Sequence, residues 1–525
     1  MNDLWTQAVM VMGLVVLAYY FVTLAVNLAV LWASLGLPGR KMRVASAHLD
    51  LPEERVEAVS VPVPAFNEEV TILDTVRALL RQDYPRFEVI VVNDGSADGT
   101  LELLRQEFGL RPLDPAGEGP LPCGQVRGLF ISESRRDLIV VDKENGGKAD
   151  ALNAGLNAAR YPLVCCVDAD GLLEPDALKK LACQFARDDR VVAAGGVVRP
   201  LNGCQVENGA VVQAGVPPTL TGRVQAVEYL RAFLSGRFGW EKGSGLLIVS
   251  GAFGMFRRDV LLEAGGYADS LGEDMELTLR LHHRLLDEKR PCRVITAVAA
   301  LCRTQVPETL RGLRTQRVRW HRGLDQALWR HRGMVLRPLY GTVGMAALPV
   351  FWFIELLGPV IELTGYGMLA ALLLLGGPTT AALLVFAMAY LHGLTQSLTA
   401  LVTEGRVYPS PDDPLRLAGA CLLEPLLYRP LLAFWRCQAL VTMGRYFPQA
   451  PFLTGAEKAR RPVVWHTDLP GPKGYTDNRE VQVWKRRPSS SRKRGRRRTM
   501  SRNTAATSPA AAAMTDQPGL YRPKA

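Results

Sequence analysis

The nine cysteines of this chain include no Cys-x-x-Cys pair, so the pattern offers no metal or disulfide framework. Cys165 and Cys166 are adjacent within a strand-like stretch, where neighbouring side chains point to opposite faces. Buried reduced thiols in a cytoplasmic domain are the simpler reading. No charged side chain occurs from Leu4 to Gly39, and the residues ahead of that stretch carry Asp3 but no Lys or Arg. A cleaved signal peptide needs a basic start and an apolar run of only about 7–15 residues. The apolar run from Ala8 to Leu35 exceeds the ~20 residues a helix needs to cross a bilayer. A membrane span is therefore expected. Arg40, Lys41 and Arg43 follow it, so the positive-inside rule places the next segment in the cytoplasm.

What is present is uneven. The 525 residues are 48% hydrophobic and 22% charged, with a net charge of +11. That length suggests several domains, at roughly one per 100–200 residues. A second apolar region divides at Gly358-Pro359, at Gly376-Gly377-Pro378 and at the polar stretch Glu404 to Arg416. The resulting blocks are 340–357, 359–376, 379–402 and 417–441. With the first span they predict five crossings, three or four being the alternative count. Glu355, Glu362, Glu424, Arg429 and Arg436 are costly in lipid, so their segments lie at the interface or face the protein interior. Four C-terminal crossings would return the basic tail to the cytoplasm.

Between the apolar regions, residues 57–305 alternate strand-like and helix-like stretches. "FEVIVVNDGS", "DLIVVDKENGG" and "YPLVCCVDAD" read as buried strands running into polar turns. "EVTILDTVRALLRQ" and "KADALNAGLNAAR" have helical spacing. Repeated strand–helix units imply an α/β fold with a mostly parallel sheet covered by helices. In such sheets ligands bind beyond the carboxyl ends of the strands. Residues 109–130, rich in Gly and Pro, read as a loop insertion.

The chemistry-bearing residues fall at those strand ends. Asp168 and Asp170 follow the strand of "LVCCV"; oxygen ligands in this setting select hard cations such as Mg2+ or Mn2+, whose usual partner is a diphosphate. Taken alone, "DAD" is as well explained by a solvated loop. "NGGKADALNAG" places two glycines and Lys148 at a helix start, which favours phosphate. "VPAFNEE" and "NDGSADGT" are polar turns that simple capping would also explain. Glu273 and Asp274 open another helix in "SLGEDMELTLRL", where an acidic first turn suits the dipole. In "QRVRWHRG", helical spacing puts Gln316, Arg319, Trp320 and Gly323 on one face, beside an apolar stripe of Leu310, Leu313, Leu324 and Leu328. An amphipathic interfacial helix has the same pattern.

Seven motifs in this order ("VPAFNEE", "NDGS", "GGKADALNAG", "DAD", "SGAFGMFRRDVLLEAGGY", "GED" and "QRVRW") resemble a membrane-integrated family 2 glycosyltransferase with the GT-A nucleotide-diphospho-sugar transferase fold. The synthases of poly-N-acetylglucosamine, hyaluronan, chitin and cellulose are of this kind. The resemblance covers about residues 57–330 and, more loosely, the membrane helices. It implies that Ala65, Phe66, Glu68 and Asp94 border the nucleoside and that Lys148 approaches the donor. Asp168 would contact donor and metal, and Asp170 the metal-bound diphosphate. Asp274 matches the catalytic base. Ser250, Gly251 and Phe253 belong to the acceptor loop. Gln316, Arg319 and Trp320 match the QxxRW motif, with Arg319 near the diphosphate and Gln316 and Trp320 on the acceptor side.

The resemblance further implies a UDP-sugar donor, UDP-N-acetylglucosamine first and UDP-glucose next. It implies Mg2+ or Mn2+ as cofactor, an inverting displacement, a growing β-linked polysaccharide as acceptor with coupled export, and a bacterial plasma membrane. Accessory export subunits are compatible with it. The alternative is a non-processive transferase acting on a lipid acceptor. A catalytically silent nucleotide-binding scaffold is disfavoured by the complete set Asp168, Asp170 and Asp274. The expected organisation is an N-terminal span (1–43), a GT-A domain (57–305), interfacial helices (306–335), a membrane region (336–445) and a basic tail (446–525). The tail suits anionic lipid better than nucleic acid. Pro62 stands out, since in a central strand it removes a ladder hydrogen bond.

Overall fold

The structure, a computed structural model, describes residues 2–34, 57–114, 119–375, 379–404 and 412–442. The basic residues Arg40, Lys41 and Arg43 and the tail from 446 lie outside the described residues, so the expectations attached to them are not addressed by it.

The strand-like runs pair into a ten-stranded mixed sheet of order β3-β4-β5-β2-β1-β6-β11-β8-β12-β7, in which β7 is Leu172–Leu173, while β9 (Gln205–Glu207) and β10 (Ala210–Gln213) pair apart from it. Its centre is parallel: β5 (Leu138–Lys143), β2 (Phe87–Asp94), β1 (Val59–Ala65) and β6 (Leu163–Val167). Their apolar residues are buried on both faces, as continuous Val/Ile/Leu runs require. The helices between them supply the cover: Lys148–Ala158 packs on β1 and β2, and Ala177–Arg187 on β8 (Val191–Pro200) and β12 (Arg293–Thr304). β11 (Phe253–Arg257) is antiparallel to both β6 and β8. The expected α/β architecture is thus a parallel core with antiparallel flanks.

Register aligns the carboxyl ends of the parallel strands. Ala65 pairs Asn93, Asn93 pairs Asp142, and Asp94 pairs Lys143. The polar turns that follow therefore share one edge. Pro62 fits because the β1–β6 ladder registers only Val59 and Ser60, ahead of the proline. Its ring packs on Gly155, where an added Cβ would lie 2.8 Å from the Pro62 Cβ. Residues 109–130 are not a loop throughout: β3 (Leu110–Leu113) and β4 (Val126–Ser132) pair antiparallel and extend the sheet at one edge.

Four helices among the described residues are long and apolar enough to cross a membrane: Val9–Ala33, Val343–Leu374, Ala382–Val402 and Asp413–Val441. That is one fewer than five. Gly358-Pro359 bends the second of these without ending it, because Pro359 falls in the first turn of Gly358–Leu375, where its missing N–H has no partner to lose. The half before the bend carries Val343, Ala347, Leu348 and Leu356, which pack against Leu247, Met275, Ala327 and Leu328 of the sheet domain and the helix Leu310–Arg330.

Candidate active site

The first two strand-end turns are laced together. Asn67, at φ 57°, accepts from the Ala97 amide at 2.8 Å and donates its own amide to Ser96 Oγ at 3.0 Å. Glu69 accepts from the Gly99 amide at 2.9 Å. The lacing leaves Phe66 half exposed at the edge while Ala65 stays in the core. Glu68 accepts the Thr71 hydroxyl at 2.7 Å. Desolvation holds its carboxyl above the usual range, against that hydrogen bond.

Asp94 is not open to the cleft. It is buried, 2.5 Å from Lys143 Nζ, and its two oxygens accept the amides of Gly146 and Gly147 at 3.0 and 2.8 Å. Lys143 is fully buried and also pairs Asp150 at 2.6 Å. Its presence inside "VVDKENGG" gave no sign in the sequence, since a lysine at a strand end normally faces water. The pair fixes the turn that presents Lys148. Gly95, at φ 69°, admits that turn: a Cβ there would lie 2.7 Å from the Asn145 nitrogen. Replacing Lys143 with Met should strand a buried carboxylate and cost about 3–5 kcal/mol of stability. Thermal unfolding would read this, and adding Asp94→Asn should recover part of the loss.

The chemistry converges on Lys148, the first residue of its helix. Its ammonium lies 2.7 Å from Asp168 Oδ1 and 3.1 Å from Glu273 Oε1. Desolvation works against the charged amine, but the Asp168 and Glu273 charges outweigh it and raise its pKa. Gly251 closes this cluster: a Cβ there would sit 3.2 Å from Lys148 Nζ and 3.5 Å from Asp274 Cβ. Its amide donates to Asp274 Oδ2 at 3.2 Å, and the Met275 amide to Asp274 Oδ1 at 2.7 Å. Desolvation, then the Glu273 charge, push the Asp274 carboxyl up to about 6, with Lys148 opposing.

Asp170 accepts the Thr304 hydroxyl at 2.8 Å from the end of β12. Desolvation first, and the Asp168 charge next, push it up to about 6. Thr304 is invisible in the sequence because its contact spans 134 positions.

The helix Leu310–Arg330 docks through glycine on glycine. A Cβ on Gly272 would fall 3.0 Å from Gly323 Cα, so the helix and the turn before Asp274 meet backbone to backbone. Arg319 and Trp320 are exposed, and Gln316 is half-buried with its Oε1 unpartnered. Of the expected stripe, Leu313 and Leu328 are buried but Leu310 is exposed. Arg317, inside the same motif, is buried instead. Gly251 reaches the cluster, with Ser250 next to it in the chain. Phe253 does not: it is 0% exposed, and a Cβ on Gly196 would strike its ring at 2.1 Å, so it belongs to the core.

Residues 132–323 match the model described as "Glycosyltransferase like family 2", and residues 60–114 match "Glycosyl transferase family 2". The chain carries a family 2 glycosyltransferase domain. The transferase is 28% identical over 304 residues to the poly-beta-1,6-N-acetyl-D-glucosamine synthase of Staphylococcus aureus (strain COL), covering 58% of this chain and 61% of that protein. It is 29% identical over 293 residues to the synthase of the same name from Staphylococcus epidermidis, covering 55% and 59%. The chain thus spans about three fifths of the length of the curated relatives it matches. Among solved structures, the mannosyltransferase PcManGT from Pyrobaculum calidifontis, in complex with GDP-Man and Mn2+, is 22% identical with a TM-score of 0.45, covering 80% of this transferase and 97% of that chain. That likeness is too distant to transfer any detail of a site.

Proposed function

We propose that the transferase moves a sugar, with inversion, from a UDP-sugar to a growing β-linked polysaccharide at the membrane. One observation carries this reading: Lys148, Asp168 and Glu273, from three separate elements, meet within ion-pair reach at the carboxyl edge of the parallel sheet, and Gly251 joins Asp274 to them, its amide on the Asp274 carboxylate and its Cα side against the Lys148 ammonium. The names of the staphylococcal relatives support a β-linked N-acetylglucosamine polymer, and UDP-N-acetylglucosamine is the donor we propose for it.

An acceptor hydroxyl attacks the anomeric carbon opposite the leaving UDP, and Asp274 takes its proton. The amides of Gly251 and Met275 aim the Asp274 oxygens. Lys148 neutralises charge beside the donor, and Arg319, exposed and without an ion pair among the described residues, meets the departing diphosphate. Trp320 offers a ring face to the acceptor sugar. Asp170 and Asp168 are the residues to hold Mg2+ or Mn2+. Among the described residues no three His, Cys, Asp or Glu side chains form a metal cluster on their own. Two carboxylates still fit such a cation, which commonly takes one or two carboxylates and completes its shell with substrate phosphate and water. When bound, the cation supplies charge stabilisation to the diphosphate.

A base with its carboxyl near 6 is active only when ionised. The log of kcat/KM is therefore expected to fall linearly as pH drops below about 6 and to level off above it. A pH profile at saturating Mg2+ would show this limb, and a limb near 4 would remove the elevated base.

Asp413–Val441 is long enough to cross, yet both its ends are tied to the sheet domain's helices. Leu417, Ala420 and Cys421 pack with Val224 and Val227, and Gln438 accepts from Arg314 at 2.8 Å. A helix pinned at both ends to one side lies along the interface. Three crossings then remain, which return the tail to the side of the catalytic domain. Glu362, Tyr366, Tyr20, Tyr390 and Arg429 line a cleft between these helices and are our choice for the polymer path. In sealed inverted vesicles, added protease should remove the tail and the catalytic domain together; a protected tail would require another crossing.

The deciding experiment supplies a panel of labelled UDP-sugars to purified protein in lipid vesicles. Solvent-insoluble, high-molecular-weight product names the donor and supports the polymerase. A single sugar in the lipid phase would overturn it in favour of a lipid acceptor.

A further inference from the structure

The helix Leu220–Leu230 continues through a wider π turn, Arg231–Gly236, into Arg237–Lys242. It lies between the QxxRW helix and the interfacial helix Asp413–Val441. The latter is itself wound as a π turn from Glu424 to Tyr428. Such turns are rare and collect at functional places.

Buried polar contacts join the three helices there. Glu228 Oε2 accepts Arg317 Nη2 at 2.6 Å and the Tyr428 hydroxyl at 2.9 Å. One oxygen thus holds a residue of the QxxRW helix and a residue of the interfacial helix. Arg317 is only 2% exposed, and its guanidinium carbon lies 4.3 Å from the centre of the Trp320 ring. A cation at that distance is attracted to the ring face and fixes its tilt. One turn further on, Glu424 takes Arg231 at 3.4 Å, Arg429 at 3.1 Å and the Ser397 hydroxyl at 3.4 Å. The two helices therefore meet twice, through Glu228–Tyr428 and Arg231–Glu424. Neither can rotate without breaking a buried pair.

We propose that Glu228, Arg317 and Tyr428 are positioning residues: they set the Trp320 ring against the acceptor sugar from a point fixed by the interfacial helix. This rests on the reading that Trp320 faces the acceptor. A displacement of Asp413–Val441 in the membrane moves Tyr428, then Glu228, then Arg317, and tilts Trp320. Acceptor affinity, and with it the number of sugars added before release, is tuned by how this helix sits in lipid.

The test uses the full chain in vesicles with UDP-N-acetylglucosamine as donor and a short N-acetylglucosamine oligomer as acceptor. Tyr428→Phe removes one hydroxyl and keeps the packing, and Glu228→Gln keeps the shape and removes the charge. Both are expected to raise the KM for the acceptor several-fold and shorten the product, with the donor KM unchanged. Trp320→Ala should do the same more strongly, and Glu228→Gln added to it should change little more. A clamp that only supports folding would lower kcat in proportion to the folded fraction and leave the acceptor KM and product length alone; that result overturns the relay. If Trp320→Ala raises the acceptor KM while Glu228→Gln and Tyr428→Phe do not, the relay alone is wrong. If Trp320→Ala also leaves the acceptor KM unchanged, the acceptor assignment falls and the relay with it.

Discussion

Asp274→Asn should reduce sugar transfer by about 10²–10⁴-fold, the usual contribution of a positioned general base, while UDP binding persists. The substitution keeps the shape of the side chain. It keeps an oxygen to accept one of the Gly251 and Met275 amides, so the turn should hold. What it removes is the carboxylate proposed to take the acceptor's proton. Glu273, one residue away, does not substitute, because its carboxylate is already engaged by Lys148 at 3.1 Å and points back toward the donor side. Radiolabelled polymer from the wild type and the variant, together with calorimetric UDP binding, separates chemistry from folding. Transfer within a small factor of wild type would move the base to another residue. Loss of UDP binding in parallel would mean the turn had collapsed.

Much of this site was legible in the sequence because parallel α/β sheets put ligands at one edge, and each strand announced its end by a change from apolar to polar residues. "LVCCVDAD" is the clearest instance: the strand ends at Val167 and the carboxylates begin at Asp168. Long-range pairings left no such trace. The Thr304 hydroxyl on Asp170 and the Glu228 carboxylate on Arg317 join residues 134 and 89 positions apart. Asp94 and Phe253 show what a motif leaves open. Each sits within a recognisable motif, yet the fold spends Asp94 on a buried pair with Lys143 and Phe253 on the space beside Gly196. A motif marks which segment reaches the site, while the pleat of the strand decides which of its side chains does. The number of crossings is less legible for a related reason. Apolar composition is shared by helices that cross and helices packed along a domain at the interface, and only contacts such as Arg314 to Gln438 tell them apart.

Asp170→Asn should lower transfer by more than about 100-fold at saturating Mg2+, since loss of even an outer partner of a metal ligand costs 10–100-fold. The two aspartates are not equivalent. Asp168 is partly neutralised by Lys148 at 2.7 Å, whereas among the described residues Asp170 makes no ion pair. Its carboxyl sits near 6 because desolvation, the Asp168 charge and then the Glu68 charge oppose its ionisation. That is a place of unrelieved negative potential, which a divalent cation would relieve. Protons compete for the same oxygens, so apparent metal affinity should weaken as pH falls through about 6. Thr304→Val removes the hydroxyl that orients Asp170 and should weaken metal affinity by about 10–100-fold while leaving the carboxylate in place. Electron paramagnetic resonance of Mn2+ in the presence of UDP reads binding without turnover. Wild-type Mn2+ affinity in Asp170→Asn would place the cation on other residues. Loss in Asp170→Asn with a smaller loss in Thr304→Val would mark Asp170 as the ligand and Thr304 as the group that aims it.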